Sequence, residues 1–186
     1  YEIDGTFYLF YSDNMKSNGL RYINVLTSDS PVGPFEEYKG TDYYGNELDG
    51  YKAPIFRHND SLGLSVLDQN LFIDDDGSMY MYYSIYDTGI MQYIIGVSML
   101  DPVTPDWDTY KILVRPGELT PKTTSTNMLI WEAYQGFKVA EGPFMVKSPV
   151  NGKYYLTYSV NHYPDRYYTV CYAYSDCLLY TSPSPR

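Results

Sequence analysis

Three segments of the sequence repeat one aromatic pattern. They read GTFYLFYS, GSMYMYYS and GKYYLTYS, and they begin at Gly5, Gly77 and Gly152, which lie 72 and 75 residues apart. Each copy has the alternating aromatic pattern of a β-strand, and each is followed by a loop and a further strand. A period of this length, with about four short strands in each copy, is typical of the blades of a β-propeller. The alternative is a β-sandwich whose hairpins resemble one another.

The remainder of the chain adds strands and no helix to this pattern. Other strand-like runs lie at residues 20–28, 64–73, 91–98, 137–147 and 167–174. The proline-containing stretch 101–108 predicts a loop, 110–114 predicts a short outer strand, and the Tyr- and Gly-rich stretch 39–52 predicts another loop. We therefore predict an all-β chain with about three blades, near residues 1–50, 51–127 and 128–176.

Composition excludes two classes of partner. The net charge is −10, so phosphate backbones would be repelled, and we expect no nucleic acid as a partner. No run reaches the roughly 18 apolar residues of a membrane-spanning helix, so we expect no membrane partner either. The 24 tyrosines suit β-sheets that present aromatic rings to a wet surface.

Both ends of the sequence predict a fragment. The chain opens at Tyr1, almost inside a hairpin, and the segment CLLYTSPSPR from Cys177 to Arg186 breaks the preceding pattern. This segment resembles translated adapter sequence, so we leave it out of the predicted fold. No disulfide is inferred between Cys171 and Cys177.

Two of the repeats carry an acid at what reads as one shared position. Asp68 in LDQNLFIDDDG aligns with Glu141 in AEGPFMVKSPVNG. A carboxylate beside a buried apolar run is costly unless it is paired or used. In a propeller the first strand of each blade lines the central channel, so Asp68 and Glu141 are expected to face one funnel. Two carboxyl groups held across a pocket are the catalytic groups of glycoside hydrolysis.

These motifs, together with SDSPVGPF at residues 28–35, resemble glycoside hydrolase family 43. The resemblance implies an incomplete five-bladed β-propeller from an inverting O-glycosyl hydrolase, of α-L-arabinofuranosidase or β-xylosidase type, that acts on plant polysaccharides or oligosaccharides. The sequence leaves the localisation open, and an extracellular or periplasmic location is favoured over the cytoplasm. It implies Glu141 as the general acid and Asp68 as the residue that tunes the pKa of that acid and orients it. Gln69 replaces the proline that usually follows this Asp.

The general base of the family has no counterpart in the sequence. By the repeat spacing its Asp would precede Tyr1, so we expect this fragment to be inactive. Asp4 is the nearest substitute, but Asp4-Gly5 is a hairpin-turn dipeptide. No cofactor is required, although the channel of the full-length enzyme could hold a structural calcium. Asp74–Asp76 lacks the spacing of an EF-hand loop and is interpreted as a solvated turn.

Other residues are candidates for contacts with the sugar. Candidate substrate-binding side chains are Trp131, Phe144, Asn161, His162 and Tyr86. Glu132 competes with Glu141 for the role of general acid but lies in no repeated position, and His58 is interpreted as a loop residue. The rival functions are a non-catalytic carbohydrate-binding propeller and a kelch-like interaction scaffold, although diglycine motifs are absent.

Overall fold

The chain is all-β in this computed structural model, which describes residues 1–14, 19–41, 46–49, 56, 64–87, 91–116, 138–161, 163–164 and 166–182. These residues form fourteen strands and no helix. Accordingly, no helix in the described part of the chain is long and apolar enough to cross a membrane.

Twelve of the strands make three four-stranded antiparallel meanders, in chain order. The first consists of β1 (Glu2–Ile3), β2 (Thr6–Asn14), β3 (Arg21–Ser28) and β4 (Glu36–Glu37). The second consists of β7 (Leu64–Ile73), β8 (Met79–Asp87), β9 (Met91–Asp101) and β10 (Thr104–Val114). The third consists of β11 (Lys138–Lys147), β12 (Tyr154–Val160), β13 (Thr169–Cys177) and β14 (Tyr180–Ser182).

The repeated glycine begins the same hairpin feature in each meander. Gly5, Gly77 and Gly152 have φ angles of 82°, 85° and 70°, a region that only glycine adopts readily. Asp4 also has a positive φ, of 50°, and it joins β1 to β2, so the prediction that Asp4 is a turn residue is confirmed.

The core lies between successive meanders. Strand β8 is buried on both faces: Met81 and Tyr83 pack toward the first meander, with Ile23 and Phe56, whereas Tyr82 packs toward the third. Successive side chains of a strand point to opposite faces, so one strand can serve two apolar clusters. The second and third meanders are also joined by parallel pairing of Lys138–Val139 with Met91–Gln92. The described strands form no closed sheet.

Two expectations from the sequence need correction, and one is confirmed. Residues 104–108, predicted as a loop, begin β10. Among the described strands, β10 pairs only with β9, with repeated shifts in register, and an edge strand of this kind tolerates Pro105. The predicted outer strand at 110–114 is confirmed as the end of β10. The stretch 39–52 contains the two-stranded ribbon of β5 (Lys39–Thr41) and β6 (Glu47–Asp49).

The last described residues also belong to a sheet. β14 pairs with β13, and Leu178 is 8% exposed within the second apolar cluster. The foreign origin of residues 177–186 stays a prediction. The predicted fold does not include residues 178–182, whereas in the structure they belong to the third meander.

Candidate active site

Each of the two predicted acids lies at a β-bulge in the first strand of its meander. In β7, Leu67 is opposite Ser84 and Asn70 is opposite Tyr82, so Asp68 and Gln69 together face one residue of β8. In β11 the bulge lies between Glu141 and Phe144. A bulge bends the strand and redirects the side chains beside it, which is why bulges recur at active sites.

Strand pairing corrects the alignment of the two acids by one residue. Glu141 is opposite Ser159 as Leu67 is opposite Ser84, so Asp68 corresponds in backbone position to Gly142. The backbone agrees, because Asp68 and Gly142 have φ angles of 57° and 60°. A shift of one residue normally sends a side chain to the other face of a sheet. The bulges therefore decide where these two carboxylates point.

Asp68 is a half-buried carboxylate with three favourable partners. Its Oδ2 accepts hydrogen bonds from the Gly142 amide at 3.2 Å and from the Ser84 hydroxyl at 3.3 Å. Burial raises the pKa of Asp68 above its ordinary value, while these two bonds and the positive charge of Arg21 act to lower it. Burial prevails because the charged form loses more hydration than these partners return.

Side chains of β7 satisfy backbone groups of β11. Asn70 Oδ1 accepts a hydrogen bond from the Met145 amide at 2.9 Å, two residues beyond the acceptor Asp68. Asn70 also donates to the Tyr1 hydroxyl at 3.0 Å. Side-chain oxygens of β7 thus accept hydrogen bonds that the carbonyl groups of a neighbouring strand would otherwise accept. They hold the segment that carries Glu141 against β7.

The Glu141 carboxylate is bound by a tyrosine that sequence reasoning missed. The Tyr168 hydroxyl, from the residue just before β13, donates to Glu141 Oε1 at 2.8 Å. Burial raises the pKa of the Tyr168 hydroxyl, as do this bond and the negative charges of Glu141 and Asp68, while a hydrogen bond with the Ser159 side chain lowers it. The charges of both predicted acids therefore act on one hydroxyl group.

Glu141 opens onto a groove of about 470 Å³. The groove is also lined by Arg21, Leu67 and Tyr86, so residues from all three meanders contribute to it. Asp68 lines a second cavity, of about 250 Å³, which shares Arg21 and Leu67 with the groove. The two carboxylates thus lie at adjoining cavities with Arg21 common to both.

The other candidate residues differ in where they lie. Tyr86 is 40% exposed and lines the groove beside Glu141. Phe144 is 56% exposed but does not line that groove. Asn161 is 1% exposed, and its amide donates to the Tyr167 carbonyl at 2.9 Å, so in this structure it holds the turn before Tyr168. Trp131, His162, Glu132 and His58 lie outside the described residues.

Gln69, which stands where the resembling family has proline, is bonded to the first meander. Its Oε1 accepts a 2.7 Å hydrogen bond from Ser12. Ser12, Ser84 and Ser159 end the three repeated segments. Ser84 bonds to Asp68, Ser12 bonds to the residue after Asp68, and Ser159 lies opposite Glu141. This shared final serine was the signal in the sequence that could have identified the surroundings of the acids.

The acidic turn at Asp74–Asp76 is bound by a cation from the third meander. Lys147 Nζ lies 2.7 Å from Asp74 Oδ1 and 2.8 Å from Asp75 Oδ2. Within the described part of the chain, no group of three or more His, Cys, Asp or Glu side chains could hold a metal ion.

Known proteins resemble this chain in sequence and in fold. The family described as Glycosyl hydrolases family 43 matches residues 1–182. An arabinoxylan arabinofuranohydrolase of Bacillus subtilis (strain 168) is 28% identical over 143 residues, which make up 75% of this chain and 23% of that protein.

Two solved structures from Bacteroides thetaiotaomicron VPI-5482 resemble the chain. An endo-1,4-beta-xylanase has a TM-score of 0.68 at 30% identity and is matched over 100% of this chain and 52% of its own. An endo-arabinase has a TM-score of 0.63 at 22% identity, a likeness of fold, over 99% of this chain and 59% of its own. The chain thus spans 23% to 59% of the length of these three relatives. Because the family match extends from residue 1 to residue 182, the chain belongs to glycosyl hydrolase family 43.

Proposed function

We propose that this chain carries two groups of a glycosidase active site, the general acid and the carboxylate that keeps it protonated and aligned. The enzyme cleaves arabinosyl or xylosyl linkages with inversion. The observation that carries the proposal is the contact between the two acid segments: the amide next to Glu141 donates to the Asp68 carboxylate. A glycosidase needs one protonated acid at the leaving oxygen and a carboxylate that keeps it protonated and aligned. Glu141 takes the first role and Asp68 the second.

The reaction that follows is a single displacement. Glu141 transfers its proton to the glycosidic oxygen as the bond to the anomeric carbon breaks, and water attacks from the opposite face as a base removes its proton. That base is the Asp that the repeat spacing expects ahead of Tyr1. It should lie roughly 6.5–9.5 Å from Glu141, which leaves space for the water.

The proposal extends to the architecture. The three meanders are three blades of a five-bladed propeller, with boundaries near residues 50 and 127, and the groove is part of its central channel. The pentose specificity is supported by the relatives, which are named arabinoxylan arabinofuranohydrolase, endo-1,4-beta-xylanase and endo-arabinase. The partner is a plant oligosaccharide or polysaccharide.

The test is Glu141→Gln in the intact enzyme, with Glu37→Gln, an exposed acid on β4, as the matched control. On arabino- and xylo-oligosaccharides, E141Q should lower kcat by about 10²–10⁴. On dinitrophenyl glycosides, whose leaving group needs no proton, the loss should be much smaller. NMR of the first product should show the inverted anomer. Wild-type rates of E141Q on oligosaccharides would refute the proposal.

The alternative is a non-catalytic carbohydrate-binding propeller. The 186-residue chain is expected to release no sugar in either case, since the proposed base lies outside it. Hydrolysis by the intact protein therefore separates the two functions. The alternative would be favoured if titration calorimetry showed that the intact protein binds oligosaccharides, but no substrate yielded a hydrolysis product.

A further inference from the structure

A tyrosine hydroxyl is hydrogen-bonded to the proposed general acid. The Tyr168 hydroxyl donates to Glu141 Oε1 at 2.8 Å. A phenol has one proton, and Tyr168 gives it to Glu141. Ser159 lies directly opposite Glu141 in the β11–β12 pairing, and its side chain acts to lower the pKa of Tyr168.

The backbone before Tyr168 is held independently of Glu141. Asn161 has a φ of 70°, its amide nitrogen donates to the Val139 carbonyl at 3.3 Å, and its side chain donates to the Tyr167 carbonyl at 2.9 Å. Tyr168 itself is 39% exposed. The residue before this ring is therefore held by Asn161, while the Tyr168 hydroxyl reaches the carboxylate.

On the basis of the proposed function, we infer that Tyr168 is a positioning residue for the general acid. Because its hydroxyl donates to Oε1, the transferable proton of Glu141 is held on Oε2, which is the oxygen left for the glycosidic bond. When that proton leaves, Glu141 becomes a carboxylate, and the bond from Tyr168 becomes charge-assisted and stronger. An interaction that strengthens as the reaction proceeds lowers the barrier.

Kinetics of the intact enzyme test this role with Tyr168→Phe and the control Tyr172→Phe. Tyr172 has a similar exposure, on β13, and packs against Tyr155. Y168F should lower kcat on oligosaccharides by about tenfold with KM little changed, as expected from one lost hydrogen bond to a charged group. The basic limb of its pH–rate profile should move to higher pH, because the ionised acid loses a donor. Y172F should match wild type in both.

NMR of the 186-residue chain gives a readout that needs no catalysis. In protein labelled at tyrosine Cζ, the Tyr168 resonance should titrate at lower pH in E141Q than in wild type, since the carboxylate that disfavours its ionisation is gone. An unchanged Tyr168 titration would overturn the contact.

The two proposals fail separately. Activity of E141Q on oligosaccharides would refute the proposed function. Loss of activity in E141Q, with a wild-type rate and pH profile in Y168F, would overturn only the role of Tyr168.

Discussion

The Gly142 amide donates a 3.2 Å hydrogen bond to Oδ2 of Asp68, although the two residues are 74 positions apart. They are also the corresponding residues of two bulges, with nearly equal positive φ angles. One bulge thus supplies a carboxylate and the other a backbone amide, at a glycine. The general acid proposed above is the residue just before that amide. This hydrogen bond bears on the stability of the fold and on the proposed reaction, so both can be tested by substitutions at its two residues.

Asp68→Asn should raise stability increasingly as the pH rises. The pKa of Asp68 is raised in the folded state, so folding favours the protonated side chain. The contribution of this side chain to stability is therefore fully present below the ordinary carboxyl pKa of about 4. It is lost as the pH rises through the pKa of the folded state. Asn keeps an oxygen acceptor but has no charge. Melting temperatures from pH 3 to pH 8 should show the D68N advantage growing with pH.

Asp68→Ala is the contrast for this experiment. It leaves the Gly142 amide and the Ser84 hydroxyl without their acceptor, which costs about 1–3 kcal/mol. D68A should therefore unfold below wild type at neutral pH, where D68N does not. A D68N advantage that shrinks with rising pH would contradict the buried carboxylate.

Gly142→Ala should separate backbone strain from activity. A Cβ at Gly142 would meet no atom within 4 Å, so the cost is purely conformational, about 1–2 kcal/mol for an L-residue with φ of 60°. Gly152→Ala is matched, with a φ of 70° and equally open space, but it lies in a hairpin turn. Both should lower the free energy of unfolding alike, and only G142A should also lower kcat of the intact enzyme.

Lys147→Met should weaken the contact between the second and third meanders in a pH-dependent way. Burial acts to raise the pKa of Asp74, but hydrogen bonds from Lys147 and Tyr154 hold it below its ordinary value. The resulting stability is present above the ordinary carboxyl pKa and is lost as the pH falls through the lower, folded value. Denaturant midpoints of K147M and wild type should differ most near pH 7 and converge below about pH 3.

Lys153→Met is the control for that ion pair. Lys153 binds Asp176, whose side chain is 82% exposed, whereas Asp74 is 10% exposed. Exposed ion pairs contribute little to stability, so K153M should have the smaller effect. Equal effects of the two substitutions would contradict the assigned difference in burial.

Removal of residues 177–186 should destabilise the chain. Tyr82 is fully buried, and its hydroxyl donates to the Leu178 carbonyl at 2.9 Å. Losing the buried Leu178 side chain and this bond should cost on the order of 2–4 kcal/mol in urea unfolding. Tyr82→Phe alone should cost about 1 kcal/mol. Unchanged stability after truncation would show that these residues are foreign to the fold.

The strand set was readable from the sequence because its signals are local. Alternation of apolar residues reports which strand faces are buried, and Gly5, Gly77 and Gly152 report turns that need a positive φ. The β7 boundaries were predicted without error for the same reason. Pro105 misled the prediction, because an edge strand accepts a proline that a central strand would not.

Asp68 and Glu141 could be chosen from the sequence because they lie one register position apart in two copies of a repeat. Apart from the serine that ends each copy, their surroundings could not. A bulge inserts one residue against a partner strand, so its position depends on register between segments, which no local pattern encodes. The bond from Tyr168 spans 27 residues and that from Gly142 spans 74. Sequence by itself determined the strands, their turns and two acids; the packing of one meander on the next decided which groups touch those acids, because burial and hydrogen bonding are set by neighbours in space.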